Sequence, residues 1–133
     1  MKTDMTFPRP RPARVTGARH LIAATGYSIG GLRRLWSETA FRHIAMALPV
    51  CGGLLWALDA GPVDYIVLLI LFSVLVAVEA LNTAIECIVD HLAPQWQVFA
   101  RDAKDLGSLA TMCLILANVM FLCAVALRFY GAS

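Results

Sequence analysis

The sequence has 133 residues, of which 15% are charged and 59% are hydrophobic, and its mean hydropathy is +0.71. A soluble domain normally carries about a quarter of its residues as charges. One membrane-spanning helix uses ~20 residues, so three spans would use about half of this chain. The composition therefore indicates a small membrane protein. It excludes a soluble enzyme, a disulfide scaffold and a large transporter built from one subunit.

The N-terminal part of the chain divides into a tail and a short helix. Residues 1–17 are rich in proline and arginine, which predicts a disordered basic tail. Residues 18–37 carry apolar side chains at helical spacing on one side and mainly basic side chains on the other. This pattern is typical of an amphipathic helix that lies in the membrane interface.

Three apolar segments follow in what we predict to be a single membrane domain over residues 18–133. The predicted spans cover about residues 43–58, 63–90 and 106–128, and residues 91–105 are predicted to form a polar connection. Ten of the eleven Lys and Arg residues lie before the first span or in this connection. The positive-inside rule then predicts a cytoplasmic N-terminus and an external C-terminus.

A stripe of polar side chains runs along the second predicted span. Its members are separated by three, four and four residues, so they share one face of a helix: Glu79, Asn82, Glu86 and Asp90. A charge in lipid costs roughly 2.5 kcal/mol or more, so these side chains must face helices, water or an ion. A polar network that only holds helices together is one interpretation. A functional site is the favoured one, because acids inside spans are usually functional.

The stripe suits a site for a hard cation beside a proton acceptor. Mg²⁺ is typically bound by one or two carboxylates and completes its shell with water and substrate phosphates. Glu86 lies nearer the cytoplasm than Glu79, so metal and nucleotide would sit at the mouth and the proton acceptor deeper, at the lipid. This order suits transfer of a phosphoryl group from a soluble donor to a lipid alcohol. No known soluble nucleotide-binding motif is present, and no nucleic acid is expected as a partner.

Two further groups of residues are candidates for the same site. The segment 101–108 lies just before the third span, on the same side of the membrane as Glu86. Within it, Lys104 is a candidate phosphate ligand, and Asp105 is a candidate partner for Lys104 or for a metal shell. Ordinary positive-inside anchoring would also explain Lys104. Glu38 is a solvated acid at a helix start, unless the helix junction brings it near Glu86.

From about residue 19 to residue 128, the chain resembles the prokaryotic integral-membrane diacylglycerol kinases. The resemblance rests on these pieces: Ala24-Thr25-Gly26-Tyr27-Ser28, Gly31-Leu32-Arg33, Trp36 and Glu38 with Ala40-Phe41-Arg42, Val78-Glu79 through Asp90, and Ala103-Lys104-Asp105-Leu106-Gly107-Ser108. It implies an all-α membrane protein with three transmembrane helices and a surface helix, assembled as a homotrimer with sites shared between neighbouring subunits. It also implies transfer of the γ-phosphoryl group of ATP, with Mg²⁺, to diacylglycerol in the bacterial cytoplasmic membrane.

The resemblance implies roles for individual residues as well. By position, Glu79 matches the catalytic base, and Glu38 and Glu86 match the metal-binding pair. The positions implied for ATP binding are Tyr27, Glu38, Glu86, Lys104 and Asp105. The positions implied for substrate binding or support are Ser28, Arg33, Trp36, Asn82, Asp90 and Ser108.

The sequence departs from the family pattern in three places. The junction between Trp36 and Glu38 is one residue shorter than in the family, which on a continuous helix would rotate Glu38 by ~100°. An arginine expected early in the surface helix aligns with His20, beside Arg19. Leu109 stands where a small alanine is common, which would alter packing of the third span.

Three other functions compete with a diacylglycerol kinase at this point. A related kinase acting on undecaprenol would share the acidic stripe. A small cation or proton channel would explain the buried acids but leaves Glu38, Lys104 and Asp105 without a role. A non-catalytic scaffold would use the stripe only to hold helices together. The resemblance favours the lipid kinase that acts on diacylglycerol.

Overall fold

In the computed structural model, residues 18–132 are described, and they form helices without strands. The four helices are α1 (Ala18–Trp36), α2 (Thr39–Ala57), α3 (Pro62–Leu92) and α4 (Val98–Ala132). The predicted tail over residues 1–17 and the side chains of Arg19 and His20 lie outside what is described. Within the described part, α2, α3 and α4 are long and apolar enough to cross a membrane. The prediction of an all-α protein with three spans is therefore confirmed.

The fourth helix begins earlier than the sequence predicted. Residues 91–105 were expected to form a polar connection, but only residues 93–97 separate α3 from α4. Pro94 accounts for the end of α3, because a proline disfavours helical backbone in the residue before it. No proline or glycine follows until Gly107, so α4 runs from Val98 through polar residues into the span. Lys104 and Asp105 consequently lie on a helix and not on a loop.

Helices α3 and α4 form the main packed pair, and polar residues interrupt their apolar contacts. A larger apolar cluster contains the buried residues Ile44, Leu55, Leu58, Leu68, Phe72, Leu75 and Val125. A smaller one near the α3–α4 loop contains Val89, Ala93 and Ala100. The buried polar residues Glu79, Asn82 and Thr83 lie between the two clusters along α3. The buried part of the stripe, Glu79 and Asn82, is therefore enclosed by apolar packing above and below.

An ion pair ties α3 to α4 at the end remote from that loop. Arg128 Nη2 lies 2.6 Å from Asp64 Oδ2, and the Asp64 side chain is only 10% exposed. The same carboxylate oxygen accepts a 3.0 Å hydrogen bond from the Gly61 backbone N–H, at the start of α3. Asp64 therefore caps α3 and anchors α4 at once. Pro62, the first residue of α3, has no backbone N–H. This costs no hydrogen bond, since the first backbone N–H of a helix has no partner within it.

The first helix is attached to the others through its C-terminal end. Leu35 is buried, and the rings of Trp36 and Phe41 pack edge to face with centroids 5.8 Å apart. Tyr27, Ile29 and Leu32 are exposed on the same helix. An apolar surface of this kind on α1 remains available to lipid or to another subunit.

The turn between α2 and α3 holds a residue in the left-handed region. Asp59 has φ 49°, the one positive φ of a non-glycine residue in the described chain. Its N–H donates to Trp56 O at 3.1 Å, and the Ala60 N–H donates to Leu55 O at 3.0 Å. These two bonds form a Schellman ending of α2, which normally has glycine at the left-handed position.

Substitution of Asp59 by glycine should stabilise the protein. The left-handed conformation costs a residue with a Cβ roughly 1–2 kcal/mol. Glycine avoids that cost, but its greater conformational freedom in the unfolded state offsets part of the gain. We expect Asp59→Gly to raise the free energy of unfolding by up to about 1 kcal/mol and Asp59→Val to lower it. Unfolding in detergent micelles with increasing SDS measures both. A lower midpoint for Asp59→Gly would contradict the assignment of strain to this turn.

Candidate active site

Glu79 lies at the buried centre of the α3–α4 pair. Its exposed fraction is 3%, and its Oε2 accepts a 3.1 Å hydrogen bond from the Thr111 hydroxyl on α4. Thr111 is itself buried. This contact fixes the carboxylate against the neighbouring helix, so its position does not depend on solvent. A carboxylate held in this way is suited to accept a proton from a group that approaches from the membrane.

Asn82 and Glu86 form a second contact one turn nearer the α3–α4 loop. Asn82 Nδ2 donates to Glu86 Oε1 at 3.1 Å, whereas the buried Asn82 Oδ1 has no hydrogen-bond partner. The amide orientation follows from chemistry, because an ionised carboxylate accepts hydrogen bonds and does not donate them. Asn82 therefore orients Glu86 and leaves one buried oxygen facing α4.

That oxygen faces Gly107, and the two helices approach closely there. A Cβ at Gly107 would lie 2.0 Å from Asn82 Oδ1 and 3.1 Å from Asn82 Cγ. Only the glycine hydrogen is small enough to fit between the two helices there. A Cα–H···O contact with this hydrogen partly compensates the Asn82 oxygen for its missing hydrogen bond. Glycine at this position thus permits the helix spacing that places Asn82 and, through it, Glu86.

Lys104 and Asp90 join α4 to α3 near the loop. Lys104 Nζ lies 2.5 Å from Asp90 Oδ1, and both side chains are partly exposed. The prediction of Asp105 as the partner of Lys104 is not met, since Asp105 is exposed and lies 4.0 Å from Arg101 Nε. The physical reason is that Lys104 faces α3, where the Asp90 carboxylate is within reach, whereas Asp105 lies beside Arg101, one turn earlier on α4.

Glu38 is held at the junction of α1 and α2 by Arg34. Arg34 Nη1 contacts Glu38 Oε1, and Arg34 Nη2 lies 3.4 Å from Cys87 Sγ on α3. The hydrogen bond to Glu38 and then the contact with Cys87 raise the pKa of the Arg34 guanidinium, which therefore stays charged. A single guanidinium therefore joins the Glu38 carboxylate to α3 at Cys87.

The remaining predicted residues lie at the edges of this arrangement. Tyr27, Arg33, Trp36 and Ser108 are exposed, and Ser28 Oγ donates to Ala24 O at 3.1 Å. Ser28 also lines a cleft of ≈ 440 Å³ between α1 and α3, together with Arg34 on α1 and with Val76, Ala80, Thr83, Ala84 and Cys87 on α3. Thr83 lies one turn from Glu79 along α3.

A second, more polar cavity lies at the α3–α4 loop. Its volume is ≈ 330 Å³, and Asp90, Trp96 and Lys104 are among its lining residues, with Gln95 and Gln97. Trp96 is 75% exposed. No sequence pattern identifies Trp96 as a site residue, because a single aromatic in a five-residue loop has no periodicity.

The residues present fit a magnesium site of the substrate-completed kind. Among the described residues, no three side chains of His, Cys, Asp or Glu converge on one point. Mg²⁺ bound with substrate needs only one or two carboxylates, since phosphates and water supply the other oxygens. Two carboxylates have the required oxygen chemistry: Glu86, which Asn82 orients, and Glu38, which contacts Arg34.

The sequence interpretation missed the side of α4 that faces the stripe. Lys104, Gly107, Thr111 and Asn118 are spaced by three, four and seven residues and share one face of α4. Thr111 and Asn118 are buried, and Asn118 Nδ2 donates to Leu114 O at 2.8 Å. The same spacing argument that revealed the α3 stripe could have identified this face.

Comparison with known proteins identifies the family of this chain. A family model described as prokaryotic diacylglycerol kinase matches residues 26–126. The chain is 45% identical over 106 residues to a diacylglycerol kinase of Sinorhizobium sp., covering 80% of this chain and 77% of the relative. It is 32% identical over 117 residues to the diacylglycerol kinase of Escherichia coli strain K12, covering 87% and 96%. The chain belongs to the prokaryotic diacylglycerol kinase family.

Membership of this family confirms that the protein is a kinase, a transferase of the membrane-embedded type. A third relative, the diacylglycerol kinase of Haemophilus influenzae, is 31% identical over 106 residues, covering 77% of this chain and 90% of the relative. The three apolar helices of this kinase agree with a bacterial membrane protein. The channel and scaffold interpretations lose their support, since neither accounts for this membership.

Substitution of Gly107 by alanine should reduce the activity of this kinase. The added methyl group would force Asn82 to turn away and give up Glu86, and misplacement by about 1 Å commonly costs up to 100-fold in rate. We expect the initial rate per folded protein to fall by roughly 10-fold or more. Gly131→Ala on the same helix is the control, since nothing lies within 4 Å of a Cβ there. Equal rates for both variants would show that this close approach does not control the site.

Proposed function

We propose that this kinase transfers the γ-phosphoryl group of ATP to the hydroxyl of diacylglycerol and forms phosphatidic acid. The main support is the order of the acids along α3. Glu79 is buried within the bundle, while Glu86 lies seven residues nearer the loop, about 10 Å along the helix axis. A proton acceptor at lipid depth and a metal ligand near the aqueous end suit this pair of substrates. The names of the relatives agree with the acceptor.

The nucleotide is proposed to bind at the end of the bundle that carries the α3–α4 loop. Lys104 has three N–H donors, and Asp90 uses one of them in the described structure, so two remain for phosphate oxygens. The cavity beside Lys104 places the exposed Trp96 within the same wall, where its ring offers a stacking surface for a base. Tyr27 and Asp105, both exposed, remain proposed contacts from the resemblance.

The lipid is proposed to enter through the cleft between α1 and α3. Its volume of ≈ 440 Å³ falls within the ordinary range for ligand pockets, and its lining is mostly apolar. Ser28 on one wall and Thr83 on the other are hydroxyl groups that can orient the glycerol part. Thr83 adjoins Glu79 on the same helix face, which brings the lipid hydroxyl toward the base.

In the transfer step, Glu79 takes the proton of the lipid hydroxyl. The hydroxyl oxygen then forms a bond to the γ-phosphorus, and the bond between this phosphorus and the bridging oxygen breaks to release ADP. Mg²⁺, when bound with ATP, neutralises charge on the phosphate oxygens. Glu86 and Glu38 would hold it, Asn82 keeps Glu86 oriented, and Lys104 offsets further negative charge. Positioning and charge neutralisation provide most of the catalysis in such reactions.

Assembly as a homotrimer completes the proposal. One chain brings together few polar ligands, and it leaves an apolar groove of ≈ 450 Å³ between α3 and α4 that Val78, Leu81 and Ile85 help to line. A second copy would cover such a surface and could supply ligands to a shared site. The basic residue distribution supports a cytoplasmic N-terminus, an external C-terminus and α1 as an interfacial helix of the cytoplasmic membrane.

Glu79→Gln should abolish turnover without disrupting the fold. The amide keeps the size of the side chain and can still accept from Thr111, but it cannot take up the hydroxyl proton. Loss of a general base costs roughly 10²- to 10⁴-fold in rate. The measurement is phosphatidic acid formed from labelled ATP and diacylglycerol in mixed micelles, together with the oligomeric state.

Asp64→Asn is the matched control, since it also replaces a buried carboxylate of α3 by an amide. We expect it to lower stability through loss of the Arg128 contact and to keep turnover within about threefold of the parent. Normal turnover in Glu79→Gln would remove its assignment as the base. Equal losses in both variants would mean that any buried charge change on α3 inactivates the protein.

A further inference from the structure

Arg34 contacts three parts of the chain at the end of α1. Its Nη1 donates to Ser37 Oγ at 2.7 Å and to Glu38 Oε1, and its Nη2 lies 3.4 Å from Cys87 Sγ. Ser37 belongs to the turn between α1 and α2, Glu38 precedes α2, and Cys87 belongs to α3. One guanidinium therefore links the helix junction to the helix that carries the acidic stripe.

Glu38 occupies the N-cap position of α2 without capping it. Its backbone has the extended N-cap conformation (φ −81°, ψ 133°), yet its side chain makes no capping hydrogen bond. A short Asp carboxylate at this position often accepts from the first backbone N–H groups of the helix. The Glu38 carboxylate turns back to Arg34 instead. Arg34 thus directs this side chain away from α2.

The guanidinium that holds Glu38 also contacts α3 at Cys87, so the Glu38 carboxylate is turned toward α3. Glu86, on the same helix, is itself oriented by Asn82. Each member of the carboxylate pair then has its own orienting residue.

The Arg34–Glu38 contact adds little to stability. It joins residues four apart, and the two side chains are 52% and 32% exposed. Such exposed pairs contribute little, because water screens the charges and ordering two long side chains costs entropy. Its effect on the placement of Glu38 is therefore separable from folding, and Arg34 can be substituted without loss of the protein.

We propose that Arg34 is a positioning residue, which holds Glu38 out of its capping role and beside α3 so that Glu38 and Glu86 bind the same metal–nucleotide complex. This inference rests on the proposed function, since it presumes that the two carboxylates hold the metal.

The test is binding of Mn²⁺, as a paramagnetic substitute for Mg²⁺, with a non-hydrolysable ATP analogue. The electron paramagnetic resonance signal of free Mn²⁺ decreases as the micellar protein is added, and this decrease gives the dissociation constant. We expect Arg34→Gln to weaken Mn²⁺ binding by about 10-fold, the usual cost of removing a group that orients a metal ligand. Arg34→Lys should recover part of the loss, since it keeps the charge but not the forked geometry. Arg42→Gln is the control, because Arg42 is exposed and contacts Thr39 on its own helix.

Kinetics separate positioning from a general structural role. In Arg34→Gln, the half-saturating Mg²⁺ concentration should rise in the same proportion as the Mn²⁺ dissociation constant. The kcat at saturating Mg²⁺ should stay within about threefold, since Glu79 and Lys104 are untouched. A fall in kcat and stability together, with unchanged metal binding, would overturn the inference.

A double-substitution cycle tests whether Arg34 acts through Glu38. In a Glu38→Gln background, Arg34→Gln should cause no further loss of Mn²⁺ binding, because the group that it orients is gone. A further 10-fold loss there would mean that Arg34 contacts the nucleotide itself, which overturns the positioning role. If the parent protein binds no Mn²⁺–nucleotide at all, the proposed function fails before any variant is made. If the parent binds Mn²⁺–nucleotide and Arg34→Gln binds it equally well, the positioning role alone fails.

Discussion

The close approach of α3 and α4 at Gly107 is the constraint on which the polar interior of this kinase depends. Acids and amides inside an apolar bundle are tolerated only where a neighbouring helix supplies partners at short range. The missing side chain at Gly107 brings the helices close enough for Asn82 to pack beneath it and for Thr111 to reach Glu79. Apolar clusters on either side then seal the polar segment.

This arrangement divides the chemistry of the site along one helix. Positions deep in α3 are rigid and shielded, as Glu79 is, whereas positions near the loop are partly exposed and joined by adaptable contacts, as Asp90 and Lys104 are. A lipid hydroxyl needs the first environment and a soluble nucleotide needs the second. Under the proposed function, one small helical bundle serves two substrates of opposite polarity.

Helical spacing alone predicted the α3 stripe, because polar residues at intervals of three and four are improbable in lipid unless they share a face. It did not predict which residues of α4 meet that stripe, since the register between helices depends on where a small residue permits contact. The start of α4 at Val98 differs from the predicted polar connection, because polar residues do not end a helix and no proline or glycine lies between Pro94 and Gly107. The Arg34–Glu38 contact crosses a helix break whose backbone angles no periodicity specifies.

The central claim is that this buried stripe transfers phosphate from ATP to a lipid alcohol. Its most direct test offers labelled ATP to the purified protein in mixed micelles, with diacylglycerol and undecaprenol in parallel and with Mg²⁺ or a chelator. We expect phosphatidic acid as the main product, formed only when metal is present. Preferential labelling of undecaprenol would contradict the proposed acceptor. No transfer to either lipid from a well-folded protein would contradict the claim itself.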